Sequence, residues 1–310
     1  MAKKSSKKVK KSARKTRPQA NRICNVVPSR NTQNDWGIEQ AITASALAGP
    51  AVAAAPVTAP ASIDLRASWW GIGNQETTGS CVGWASTDGV ARYHFVKANR
   101  LAQNAKLSPR FIWMASKETD EFVNRPETMI EGAGTSLKAA LDILRKYGAV
   151  PETLLPFKIA TSMYLGDDDT FFAAAAARRI ASYFNLQKNL ANWRTWLADK
   201  GPLLVALSVD ATWDNATATQ GNLNTFQPNT VRGGHAVCVV ATPPTTASLS
   251  ATAGAPAGET RVSLTPARPI SMPGSSTRAM ACRSELPGAR IRARLRWWHE
   301  DQASTSADIS

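Results

Sequence analysis

Two kinds of apolar pattern divide this 310-residue chain, and their order limits the fold more than any other feature. Between residues 81 and 147 the apolar positions recur at helical spacing. Val82, Ala85, Val90, Tyr93 and Phe95 form a first set within 81–98, free of proline. Leu107-Ser108-Pro109 starts a second helix, with Ser108 as N-cap and Pro109 in the first turn, continued by Phe111 and Ile112. A third spans 137–147 through Leu137, Ala140, Leu141 and Leu144, and Gly148 stops it. Stretches 173–184 and 190–197 are further helical candidates. From Pro202 the pattern changes to the uninterrupted apolar run 203–209, and 236–241 repeats it; runs this short and continuous read as buried strands. Helices first and strands second predict an α+β fold of two layers or lobes.

Charge is concentrated at one end. The net charge is +14, but ten of those charges fall in residues 1–22, where no acid occurs, which leaves 14 − 10 = +4 for the rest. A lysine run with almost no apolar residues has nothing to bury, so residues 1–40 are expected to be a basic disordered arm. No aromatic residue interleaves with the lysines to stack on bases, and no nucleic-acid partner is expected for the core domain. Residues 41–61, rich in alanine and interrupted by Pro50, Pro56 and Pro60, read as a linker. The folded domain is expected over 62–242, from Ile63-Asp64-Leu65-Arg66 onwards. Residues 243–310 contain no Phe, Tyr, Asn or Lys but eight arginines, and form an atypical tail without a convincing strand apart from a piece at 291–298. No apolar segment directly follows the basic start as in a secretory signal, and no run is long enough to span a membrane, so a cytoplasmic location is expected. Cys24, Cys81, Cys238 and Cys282 are scattered without a C-x-x-C pair, which predicts no metal site and no cofactor.

One cysteine stands in a chemically suggestive place. Gly79-Ser80 delivers Cys81 to the first turn of the first helix, where the positive end of the helix dipole favours the thiolate. Gln75, six residues upstream, can fold its amide back beside the sulfur. A thiol nucleophile needs a base, and histidine titrates nearest neutrality. His94 lies thirteen residues along the same helix, about 20 Å away at 1.5 Å per residue. His299 lies in the tail. His235 follows Gly233-Gly234 at the start of an apolar strand, from which it can project into a cleft.

With these residues in view, the chain resembles the papain-like cysteine peptidases over about residues 62–242. In that family a glutamine precedes Gly-Ser/Ala-Cys at the head of a central helix, and the histidine follows 130–150 residues later. Here the separation is 235 − 81 = 154 residues. Leu107-Ser108-Pro109, the segment from Gly134-Thr135-Ser136 to Val150-Pro151, and Gly233-Gly234-His235-Ala236-Val237 are similar to the family's corresponding segments. The resemblance implies a two-lobe fold, with a helical N-terminal lobe carrying the nucleophile and a strand-rich C-terminal lobe. It implies peptide or protein substrates, Cys81 as nucleophile and His235 as general base and later acid, resting as a thiolate–imidazolium pair. Gln75 and the Cys81 N–H would hold the oxyanion, and Gly132 and Gly134 would offer backbone contacts to an extended substrate.

The departures are equally specific. Thr78 and Val82 replace the family's cysteine and aromatic around the nucleophile, so the disulfides of secreted members have no partners here. Residues 1–61 show no amphipathic helical pattern, and a self-inhibiting propeptide is not expected. The family orients its histidine with an asparagine, yet no asparagine follows Asn229; Glu300 and Asp301 are acidic residues of the tail that could take its place. The composition break at 242 implies a tail replaced or out of register, leaving the histidine lobe with an open strand edge. A catalytically inactive peptide-binding relative is the alternative reading. An amidase- or transglutaminase-like enzyme and a nucleic-acid binder acting through residues 1–22 stand further off.

Overall fold

A computed structural model describes residues 23–46, 60, 62–71, 73–119, 128, 130–158, 166–215, 222–223, 225–242, 249–252, 261–264 and 279–284. The helices are α1 (Ile38–Thr43), α2 (Cys81–Trp84), α3 (Arg92–Lys97), α4 (Pro109–Thr119), α5 (Leu137–Lys146), α6 (Asp168–Ala176) and α7 (Leu190–Asp199). A π-helical stretch, Ala85–Ala91, joins α2 to α3 as one continuous rod, so the predicted 81–98 helix is present with a bulge in its middle. Within it Ser86 Oγ donates to Val82 O (2.6 Å), and Gly89 lets the backbone run close to Cys238. The helix ends read from the sequence at Ser108 and Gly148 are in place, and the structure adds an N-cap at Ser136 that the sequence reading did not name. Ser108 Oγ accepts from the Phe111 N–H at 3.1 Å, Ser136 Oγ accepts from the Ala139 N–H at 3.2 Å, and the Gly148 N–H closes α5 on Ile143 O.

The strands are β1 (Ile63–Asp64), β2 (Ile180–Gln187), β3 (Leu203–Val209), β4 (Asn222–Leu223), β5 (Gly233–Thr242), β6 (Leu249–Thr252), β7 (Arg261–Leu264) and β8 (Ala279–Ser284). They form a sheet in the order β2-β8-β3-β5-β6-β7-β4, with β1 paired to β5. Only the β4–β7 pair is parallel among these. β3 and β5 are covered on both faces, which is why each reads as a continuous apolar run. Leu204, Ala206, Ala236, Cys238 and Val240 turn to one core with α2, α4 and α5. Leu203, Val205, Leu207, Val237 and Val239 turn to a second core with Trp193, Trp196 and Ala41. The two-residue alternation of a strand thus feeds two cores, and the α+β fold is as predicted.

Three expectations need correction. The 173–184 stretch is not one helix: the alanines end α6 at Ala176, and Ile180, Tyr183 and Phe184 enter β2 instead. Their strand partner is β8 (Tyr183↔Cys282, Phe184↔Ala281), about a hundred residues on and invisible to local periodicity. The tail does contain strands. β8 lies between β2 and β3 with Met280 fully buried opposite Leu204, and β6 pairs with β5, so the histidine strand is flanked on both sides rather than left open. The 291–298 piece lies outside the described residues, as do residues 1–22 and Cys282's tail neighbours beyond Ser284. Finally, residues 23–46 are not simply arm and linker. They pack on the domain through α1, through Asp35, which pairs with Lys138 (2.6 Å) and accepts from Asn185 Nδ2 (3.0 Å), and through Trp36 O, which accepts from the Asn185 N–H (2.7 Å).

Candidate active site

The loop before α2 is built by short-range hydrogen bonds. Thr78 returns to Gln75 O through its N–H (3.2 Å) and its hydroxyl (2.6 Å), and that hydroxyl also meets Ser80 Oγ (2.7 Å). The Gly79 N–H donates to Glu131 O at 2.8 Å, tying this turn to the 131–135 loop. Glu131 is itself held by Arg110 at 2.5 Å. Cys81 therefore starts α2 at a fixed height against the 131–135 loop, with 2% of its surface exposed. The backbone amides of Ala236 and Val82 lie near enough to its sulfur to favour the thiolate. The Ala236 amide is the peptide unit joined to His235, so the structure brings the helix head and the histidine strand together at that point.

Burial dominates the state of this thiol. Desolvation raises its pKa from 9.0 to about 12, with the Ala236 and Val82 amides opposing. The thiolate expected from the helix dipole is thus not the resting form. At this buried sulfur the lost hydration outweighs the helix-head amides.

His235 is buried near the start of β5, opposite Leu207. Its ring meets the edge of Trp213, with centroids 6.1 Å apart and planes at 84°. Trp213 stands in the 3-10 turn Ala211–Asn215, which Asp210 organises. The fully buried Asp210 carboxylate accepts from the Thr212 N–H (3.2 Å), the Thr212 hydroxyl (2.6 Å) and the Gln227 N–H. Asp210 O accepts from the Trp213 N–H (3.2 Å) and Arg232 Nη2 (3.3 Å). Neither Asp210 nor Trp213 was singled out from the sequence, although Asp-x-Thr directly after an apolar strand is a side-chain-closed turn signal.

Residues 23–27 run through the cleft between these walls. Gln75 Nε2 donates to Ile23 O (3.2 Å) as well as to Thr78 O (3.0 Å). The Val26 N–H donates to Gly234 O and the Val27 N–H to Thr135 O, each at 3.0 Å, and Asn25 Nδ2 donates to Gly132 O. Gly134 and Gly233 admit this segment: a Cβ at Gly134 would overlap Asn25 O, and one at Gly233 would overlap Cys24 O. A Cβ at Gly132 would stand 3.6 Å from the end of the Ile23 side chain. Gln75, Gly132, Gly134 and the strand head after Gly233 are therefore one surface, and the chain covers it with its own backbone. Residues 23–27 lie on this surface as extended backbone, which carries no amphipathic signature and so was not visible in the sequence.

Among the described residues no group of three or more His, Cys, Asp or Glu side chains is placed to hold a metal, and no helix is long and apolar enough to cross a membrane.

Helices carrying the cysteine on one side and an antiparallel sheet carrying the histidine on the other define the papain-like cysteine-protease fold. Solved structures agree. The chain superposes on xylellain, a cysteine protease from Xylella fastidiosa, with a TM-score of 0.62 at 15% identity, covering 87% of this chain and 100% of that one. It superposes on procathepsin B S9 from Trypanosoma congolense with a TM-score of 0.53 at 12% identity, over 74% and 79% of the two chains. For digestive procathepsin L 3 from the larval midgut of Tenebrio molitor the TM-score is 0.51 at 16% identity, over 74% and 71%. No protein-family model and no curated protein sequence matches the chain.

Proposed function

We propose that this protein is a cysteine-type peptidase that hydrolyses peptide bonds through a Cys–His acyl-enzyme. The observation that carries this reading is the peptide already lying in the cleft: an extended backbone bonded to Thr135 and Gly234, with one carbonyl oxygen taken by the Gln75 amide beside the Cys81 helix head. A substrate carbonyl bound in that position would meet the same donor.

In this mechanism the Cys81 thiol gives its proton to His235 and its sulfur attacks the carbonyl carbon. The oxyanion forms between Gln75 Nε2 and the Cys81 N–H, each such donor contributing about 3 kcal/mol to the transition state. The imidazolium then protonates the leaving amine, the C–N bond breaks, and a thioester remains on Cys81. Water, deprotonated by His235, attacks the thioester and restores the thiol. Gly132 and Gly134 present backbone to the substrate. Trp213 braces the imidazole in the absence of an asparagine after Asn229. Because residues 23–27 occupy the cleft, a substrate must displace them.

Hydrolysis of a fluorogenic peptide tests the assignment. The wild-type chain is expected to turn it over, and Cys81→Ser to lose at least ~10³-fold in kcat/KM with an unchanged melting profile. The second reading, a peptide-binding protein without turnover, is favoured by the thiol being held protonated. Saturable binding of the same peptide with no wild-type hydrolysis would decide for it.

A further inference from the structure

The segment in the cleft carries a thiol that the proposed hydrolysis does not use. Cys24 sits between two pinned neighbours. On one side Ile23 O is held by Gln75 Nε2 at 3.2 Å; on the other, Asn25 forms a bridge with Gly234. Its own backbone rests on Gly233, and its Cβ lies 3.3 Å from where a Gly233 side chain would begin. Gly233 is two residues before His235 and three before Ala236, whose backbone amide lies close enough to the Cys81 sulfur to act on its proton affinity. Cys24 and Cys81 are thus held against the same few residues at the head of β5. Charge on Cys24 raises the proton affinity of Cys81, so the two sulfurs are also within electrostatic reach of one another. They differ in access, since Cys24 is half-exposed and Cys81 is buried.

We propose that Cys24 and Cys81 form a reversible disulfide that fastens residues 23–27 in the cleft and takes the nucleophile out of use. The consequence for activity rests on the peptidase reading; the bond itself does not. The oxidant is a small disulfide, and the more exposed Cys24 is the point of entry. Cys24, as thiolate, attacks one sulfur of the small disulfide; the S–S bond breaks and one small thiol leaves. Cys81, giving its proton to His235, then attacks the Cys24 sulfur, and the second small thiol leaves. In sum, two protein thiols lose two electrons and two protons, and the small disulfide becomes two thiols. A reducing thiol reverses both steps and frees the segment.

The test uses the full chain incubated with oxidised glutathione or with dithiothreitol, then alkylated and digested without reduction for mass spectrometry. The oxidised sample is expected to yield a peptide pair joined through Cys24 and Cys81, absent after dithiothreitol and absent from Cys24→Ser and Cys24→Ala. Cys238→Ser, a change on the strand face that packs against Gly89, is expected to retain it. In the wild type, oxidation should lower peptide hydrolysis by about tenfold or more, with recovery on reduction. Oxidised protein in which Cys24 carries only glutathione while Cys81 remains free to alkylate overturns the proposal, as does a Cys81–Cys238 link. A Cys24–Cys81 link in a protein that hydrolyses nothing when reduced leaves the disulfide standing and removes the peptidase reading.

Discussion

The two walls of the cleft are held in opposite ways. The Gln75–Cys81 wall closes on itself through Thr78, Ser80 and a short bond to the neighbouring loop, all within a few residues of the nucleophile except Glu131. The His235 wall draws on residues distant in sequence. It depends on β3 opposite, on β6 from the tail, and on a turn whose centre, Asp210, gathers Thr212, Gln227 and Arg232 from two loops. The proposed nucleophile is fixed by its own sequence neighbourhood, and the proposed base by the completed lobe. Damage to the first wall should therefore register in chemistry with little loss of fold, and damage to the second should disturb orientation.

The largest expected effect breaks the first wall. Gln75→Ala removes the proposed side-chain oxyanion donor and should cost about 3 kcal/mol of transition-state stabilisation, a 10²–10³-fold fall in kcat with KM little changed. Steady-state kinetics on a fluorogenic peptide measure it. A proportionate rise in KM with kcat intact would mean that Gln75 serves ground-state binding only.

The two buried histidines sharpen the contrast. His94 lies in α3 beside Tyr93, and burial lowers its pKa from 6.5 to about 4. The unfolded chain binds a proton there at a higher pH than the folded one, so this site's contribution to stability is full above about 6.5 and is lost as pH falls towards about 4. The difference corresponds to about 3 kcal/mol. Denaturant melts at stepped pH should show that decline in the wild type and lose that part of it in His94→Leu. The catalytic pH profile should be insensitive to the same change, because His94 is remote from the cleft. A shifted profile would break the division of roles between the two histidines.

The smallest effect falls on the second wall. Trp213→Ala leaves nucleophile and base in place but removes the ring that braces His235, and should lower kcat about tenfold. Trp213→Phe should recover most of that, since an edge contact is retained. The pH–rate profile should shift in the alanine variant and return in the phenylalanine variant, which a purely structural role would not produce.

What the sequence revealed follows the same split. The helix order, the cap at Ser108, the stop at Gly148, the Cys81 loop and the two central strands were legible because each is written in contiguous residues with a local period or cap. β2 was misread because its strand character comes from pairing with β8. The tail strands were hidden in a composition of Ala, Ser and Thr that carries no strong alternation. The docking of residues 23–27 escaped because backbone hydrogen bonds to Gly234 and Thr135 leave no pattern in side chains. In the sequence, the glycines at 132, 134, 233 and 234 mark places of close backbone approach, and Gly134 and Gly233 do keep space for this segment. Trp213 was missed for want of a reason to connect 213 with 235 before β3 and β5 were paired.

The central claim is that Cys81 acts as a nucleophile activated by His235. Reaction of the reduced protein with a peptidyl epoxide, followed by digestion and mass spectrometry, tests it most directly. One adduct on Cys81 is expected, formed at a rate that falls by about 10²-fold or more in His235→Ala and absent in Cys81→Ser. Equal labelling of Cys24 and Cys238, or a Cys81 rate indifferent to His235, would contradict the account.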